Sequence, residues 1–144
     1  TMPRELCHEV VDTDGESYYV PNNMDECRDF FQYAYDFFKD KHGEENIVSA
    51  YVHMDENVPH MHFTFVPIVK DKDKEHEKVC AKEALSDCYG AKFQIELQDY
   101  ISAQMGIQLN MVKKDTVDYD CMKSAFSYLL NTRGRLLMNI LDFF

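Results

Sequence analysis

Residues 51 to 69 read YVHMDENVPHMHFTFVPIV. Three of the chain's six histidines, His53, His60 and His62, fall within ten positions of one another here, with Asp55 and Glu56 between them. Imidazole nitrogens with a nearby carboxylate are donors that suit a divalent transition ion. In an extended strand, residues i and i+2 point the same way, so His60 and His62 share a face. Met61, Phe63 and Phe65 then take the opposite face, which is apolar and suited to packing on helices. On the preceding run, Ile47, Ser49, Tyr51 and His53 share a face by the same rule. If the link DENVP closes an antiparallel hairpin with Met54 opposite Pro59, His53 stands across from His60. Three imidazoles then converge on one patch of sheet, and a one-residue slip would turn His53 away. Glu56 is placed to be a fourth ligand, or to hold a ligand histidine through its second ring nitrogen; Asp55 could do the latter instead. A single strand histidine would read as polar filler, but His-x6-His-x-His with adjacent acids calls for an ion. His8, His42 and His76 lack such company and read as surface residues.

The spacing does not fit the helical zinc hydrolases, because no H-E-x-x-H is present. Three ligands on a flat sheet leave coordination positions open toward solvent. Such a site can take a phosphate oxygen and act on it as a Lewis acid.

The elements that must position this hairpin are readable. LCHEVVDTDGESYYV (6 to 20) predicts a hairpin about Asp14-Gly15. A helix is predicted from about Met24 to Lys41, with Asn23 as its cap and Glu26 at the capping-box position. Cys27, Phe31, Ala34 and Phe38 form its buried face, and Gly43 its stop. Strands follow at about Ile47 to Met54 and His60 to Val69. KDKDKEHEK (70 to 78) reads as a solvated loop, and 81 to 87 as a short helix. A longer helix starts near Ala91 and stops at Gly106, with Phe93, Leu97, Tyr100 or Ile101, and Met105 on one face. The tail, about 118 to 144, reads as helix, break near Asn131 to Gly134, and short apolar helix. The pattern is one α+β domain over residues 1–144, an antiparallel sheet with helices mainly on one face.

The chain has 144 residues, is 45% hydrophobic and carries a formal net charge of −11. That size and composition support a packed core and argue against disorder. The charge argues against gripping nucleic acid through bulk attraction and favours cation binding or a basic partner. The five cysteines, Cys7, Cys27, Cys80, Cys88 and Cys121, form no C-x-x-C pair and read as reduced thiols in a cytoplasmic protein. No apolar run has membrane-spanning length, and no leader opens the chain. Thr1 precedes Met2, so Thr1 reads as a cloning remnant or Met2 as internal.

The block HMDENVPHMHFTFVP resembles the third motif of the plasmid mobilisation and recombination relaxases, the MobV (Pre/Mob) family. His60-Met61-His62 is similar to the His-hydrophobe-His signature of the HUH endonucleases. His53, Asp55, Glu56, Pro59, His60, His62 and Pro67 all fall in place. FFKDKHGEENIVSAYVH and FQIELQDYISAQMG are similar to the family's flanking segments, so the resemblance covers roughly residues 30 to 110. It implies an HUH relaxase-type fold that nicks single-stranded DNA at a transfer origin in a bacterial cytoplasm. It implies Mn²⁺ or Mg²⁺ held by His53, His60 and His62, with Glu56 as fourth ligand or supporting partner. It also implies a tyrosine or histidine nucleophile that keeps the 5′-phosphate as a covalent adduct.

The family's first motif, a His and an Arg near the N-terminus that supplies the nucleophile, has no match here; LCHEVV with His8 does not fit it. The chain is therefore expected to lack an N-terminal strand, as a fragment or a short relative. Tyr89-Gly90-Ala91-Lys92 has the Tyr-x-x-Lys form of rolling-circle initiators, which makes Tyr89 a second nucleophile candidate. Basic residues are sparse: residues 1 to 45 hold Arg4, Arg28, Lys39 and Lys41 against an acidic excess. DNA binding by this chain alone is expected to be weak and to lean on stacking by Tyr18, Tyr19 or Tyr51. Two other readings are a degenerate HUH-fold binding module without nicking and a metal-dependent phosphodiesterase acting on something other than DNA. The apolar end LLMNILDFF is a candidate homodimer contact.

Overall fold

The computed structural model describes residues 1–71, 76–85, 91–112 and 138–139. After a 3-10 turn (Arg4–Leu6), β1 (Cys7–Val11) and β2 (Ser17–Pro21) pair antiparallel, with Cys7 opposite Pro21 and Val11 opposite Ser17. Asp12 organises the turn: its Oδ1 accepts the amides of Asp14 and Glu16 at 2.9 and 3.0 Å. Gly15 sits at φ 85°, a conformation that glycine reaches without a Cβ clash.

Helix α1 (Met24–His42) starts where its cap predicts. Asn23 Oδ1 accepts the amides of Asp25 and Glu26 at 2.8 and 3.3 Å, satisfying two of the helix's unpaired donors. Gly43 at φ 84° ends it, and its amide closes on the Lys39 carbonyl. The buried face is Cys27, Phe30, Phe31, Ala34 and Phe38.

The central sheet has the order β3 (Ile47–His53), β4 (His60–Phe65), β7 (Met138–Asn139), all antiparallel. β4 alternates without exception: Met61, Phe63 and Phe65 are buried, while His60, His62 and Thr64 are not. α1 lies against the buried face, with Phe38 stacked on Phe63 at 5.0 Å. α3 (Ala91–Met105) packs on α1, and Phe93 reaches Phe38 at 5.8 Å. Each such buried phenylalanine contributes about 1.5–3 kcal/mol. The helices thus anchor one side of the histidine strand and leave the other open. Gly106 (φ 68°) ends α3, and the chain then folds back. There Ser102 Oγ accepts the Leu109 amide, and Gln98 Oε1 accepts those of Met111 and Val112.

Four local expectations change. The ladder slips between Ile47 and Ser49, so Val48 bulges. Ile47 consequently pairs with Phe65 and joins the core, instead of sharing a face with Ser49, Tyr51 and His53. Second, β4 stops at Phe65 rather than running to Val69. Pro67 has no N–H to donate, and the chain turns there, with the Val66 amide on the Asn46 carbonyl and Ile68 on Val66. Beyond it, β5 (Ile68–Lys70) pairs with β6 (Glu77–Val79) where a loop is predicted. Lys78 bonds Glu83 at 2.9 Å, which pins this hairpin to α2 (Ala81–Ala84). Third, His42 is half-buried rather than fully at the surface: its ring stacks on Phe65 at 4.1 Å. Burial, with Lys41 beside it, pulls its pKa down to about 4. Fourth, Met138–Asn139 form a strand on Thr64 and Phe65, where the tail reads as helix; the rest of the predicted tail, including the other residues of LLMNILDFF, lies outside the described residues.

The α+β class stands, built among the described residues as three small antiparallel sheets with helices. Cys7, Cys27 and Cys80 are unpaired thiols; burial raises the pKa of Cys7 and Cys27, which keeps them protonated and inert. Among the described residues no helix is long and apolar enough to cross a membrane.

Candidate metal centre

Register decides the site. Val52 pairs with Met61 and Tyr51 with His62, so His53 falls opposite His60 as the hairpin arithmetic predicts. The ring centroids lie 4.5 Å (His53 to His62), 4.9 Å (His60 to His62) and 5.2 Å (His53 to His60) apart. One ligand atom from each imidazole comes within 4.8 Å of the others.

Hydrogen bonds orient the His60 and His53 rings. His60 Nδ1 lies 2.9 Å from the Val58 carbonyl, which can only accept. Nδ1 therefore carries the proton, and a neutral His60 presents a bare lone pair at Nε2. That atom faces His62 Nε2 at 3.0 Å and Glu56 Oε2 at 3.6 Å. His53 Nδ1 is 3.2 Å from Glu56 Oε1, so the same carboxylate holds the His53 ring and leaves its Nε2 for a ligand. The His60 lone pair and the Glu56 carboxylate thus converge beside His62 Nε2, where a proton on His62 or a bound cation satisfies them.

The donor set fits a divalent ion. Bonds of about 2.1 Å at right angles put neighbouring ligand atoms about 3.0 Å apart, the His60–His62 spacing. Three imidazoles disfavour Mg²⁺, which prefers an oxygen shell, and suit Mn²⁺, Zn²⁺ or Ni²⁺. The His60 side chain is 14% exposed and that of His53 39%, so the patch opens to solvent on one side. Asp55 is exposed in the same turn; the contacts to the imidazoles come from Glu56.

The turn that carries Glu56 is tied down from two sides. The Tyr19 amide donates to the Asn57 carbonyl at 2.7 Å, and the Met2 amide to the Pro59 carbonyl at 2.8 Å. The Val58 carbonyl is the one part of the site the sequence does not advertise, because any residue supplies a carbonyl. Tyr89 lies outside the described residues. His8 bonds Asn22 at 2.9 Å on the exposed first hairpin, away from the cluster.

A sheet whose open face carries three imidazoles and whose covered face carries helices defines an α+β protein with a candidate metal centre. Comparison with known proteins makes this specific. The family model described as "Plasmid recombination enzyme" matches residues 4–118. A plasmid recombination enzyme of Lactiplantibacillus plantarum is 35% identical over 96 residues, covering 67% of this chain and 25% of that protein. The type 1 enzyme of Staphylococcus aureus is 36% identical over 75 residues, 52% of this chain and 17% of that protein. A Streptococcus agalactiae relative is 37% identical over 67 residues, 46% of this chain and 14% of that protein. No solved structure matches. The chain belongs to the plasmid recombination enzyme family, the Pre/Mob relaxases. It matches a quarter or less of the length of these curated relatives.

Proposed function

We propose that this chain is the metal-bearing part of a single-strand DNA nicking and strand-transfer enzyme, acting in plasmid mobilisation or recombination. The observation that carries the reading is the His53–His60 register, which gathers three imidazoles on the open face of the sheet. His53, His60 and His62 hold a divalent ion, Mn²⁺ in preference to Mg²⁺. When bound, the ion polarises a scissile phosphate oxygen. The chain's own groups do the remainder. Glu56 holds the His53 ring through Nδ1 and reaches toward His60 Nε2 with its other oxygen. The Val58 carbonyl holds the His60 proton on Nδ1. The open side of the patch admits a strand of DNA, and the apolar side keeps the ligand strand from shifting register.

The attacking group is either Tyr89 or a residue outside these 144. Positioning matters here, because water is a poorer and less oriented nucleophile than a held side chain. A denaturing gel with Mn²⁺ and single-stranded origin DNA separates the cases. A covalent adduct lost in Tyr89→Phe assigns the nucleophile to this chain. Adduct only when further sequence of the natural protein is present assigns it elsewhere. His60→Ala should bind no Mn²⁺ by calorimetry and form no adduct in either case; Mn²⁺ binding equal to wild type would remove the metal centre from the reading. The net charge of −11 favours a second reading, a binding module that keeps the metal site without nicking. That reading gains if metal binds but no adduct forms under any condition.

A further inference from the structure

We propose that Tyr51 is a base-stacking platform of the metal site: its ring holds a nucleobase next to the phosphate that the three histidines' ion takes. The proposal rests on the single-strand DNA reading above and names the contact that places the strand. Three observations lead to it. Tyr51 is directly opposite His62 in the ladder and two residues before His53, so it stands on the ligand face. Its neighbours along that face, at about 7 Å per two residues, are metal ligands on one side and the Ser49–Thr64 pair on the other. It is also 66% exposed, the most exposed large aromatic of the described residues.

The other two tyrosines are less suited. Tyr19 already carries the Arg4 guanidinium over its ring at 4.7 Å. Tyr18 pairs with Val10 on the first hairpin and is 37% exposed. In a chain this acidic, affinity for a single strand must come from contacts other than bulk charge. An aromatic face provides one, and it tolerates any base because every base has a π-face. The chemistry selects an unpaired nucleic-acid strand, since a base inside a duplex has no free face to offer.

The test uses the Mn²⁺-loaded chain and two short single-stranded oligonucleotides, one of thymidines and one abasic with the same phosphates. Tyr51→Ala should bind Mn²⁺ as wild type does and lose roughly 5- to 150-fold in affinity for the thymidine strand. Tyr51→Phe should keep wild-type affinity, because the ring and not the hydroxyl makes the contact. On the abasic strand the difference between Tyr51→Ala and wild type should vanish. A 2-aminopurine placed in the strand should be quenched by wild type and not by Tyr51→Ala. Equal affinity of wild type and Tyr51→Ala for the thymidine strand would overturn the stacking role and leave the nicking reading standing. Loss in Tyr51→Phe equal to that in Tyr51→Ala would also overturn it, by assigning the effect to the hydroxyl. If the wild-type chain shows no metal-dependent binding to either strand, both readings fail together.

Discussion

Glu56 is the residue on which the site's geometry turns. One carboxylate oxygen holds the His53 ring and the other stands 3.6 Å from the ligand nitrogen of His60. Glu56→Gln keeps the size and loses the charge, so Mn²⁺ affinity should fall about 10- to 100-fold, as for other partners that orient ligand histidines. Calorimetry on both proteins measures it, and Asp55→Asn in the same turn should change little. Binding should also weaken as pH falls, because protons and metal compete for the same imidazole lone pairs. At this scale the sequence is informative because chemistry sits in side chains. His53, His60 and His62 can be picked out by type and spacing alone. The Val58 carbonyl that sets the His60 tautomer cannot, since it belongs to the backbone and needs the turn's conformation to be known.

At the scale of elements, local signals succeed where one contact decides the outcome. Asn23 caps α1 as its type predicts, and Asn23→Ala should cost about 1 kcal/mol in chemical denaturation. The β3–β4 register is equally legible, because a short link (54–59) and an alternating strand leave one pairing that buries Met61, Phe63 and Phe65. What the sequence hides depends on partners far along the chain. The Val48 bulge follows from Ile47 finding Phe65, and nothing near Val48 announces it. His42 is polar and ends a helix, which reads as exposed, yet the Phe65 ring from another element covers it. That burial has a pH signature. The folded His42 pKa of about 4 is below its ordinary 6.5, so the unfolded chain takes up the proton first as pH falls. The stability that neutral His42 contributes is therefore complete above about pH 6.5 and is lost progressively toward pH 4. The loss has a ceiling of about 3.4 kcal/mol, which solvent screening of the half-buried ring reduces. Denaturation of the metal-free protein against His42→Leu should show a steeper acid decline in wild type over that window.

For the whole molecule, charge and site pull in opposite directions. A net charge of −11 repels a nucleic acid, while in the proposed reading the histidine patch and Tyr51 would offer it one held phosphate and one held base. Binding that rests on so few contacts releases few counterions. Affinity for a single strand should therefore fall less than about tenfold between about 50 and 200 mM salt, where a protein with many phosphate contacts would lose a thousandfold or more. Removing the ion with a chelator should abolish binding at any salt. The overall α+β arrangement was legible as a class from the alternation of hairpins and amphipathic helices. The division into three small sheets among the described residues was not, because Pro67 and the β7 pairing act on edges that local patterning does not describe. The hydrogen bond from the Tyr19 amide to the Asn57 carbonyl has a consequence for motion. An ion drawn to Glu56 and the histidines stabilises the turn, and that stabilisation is shared with β2 through this one bond. Amide hydrogen exchange at Tyr19 should slow when Mn²⁺ is added, although Tyr19 offers no ligand atom. The exchange at Val10 and Tyr18, which face no part of the turn, should slow less.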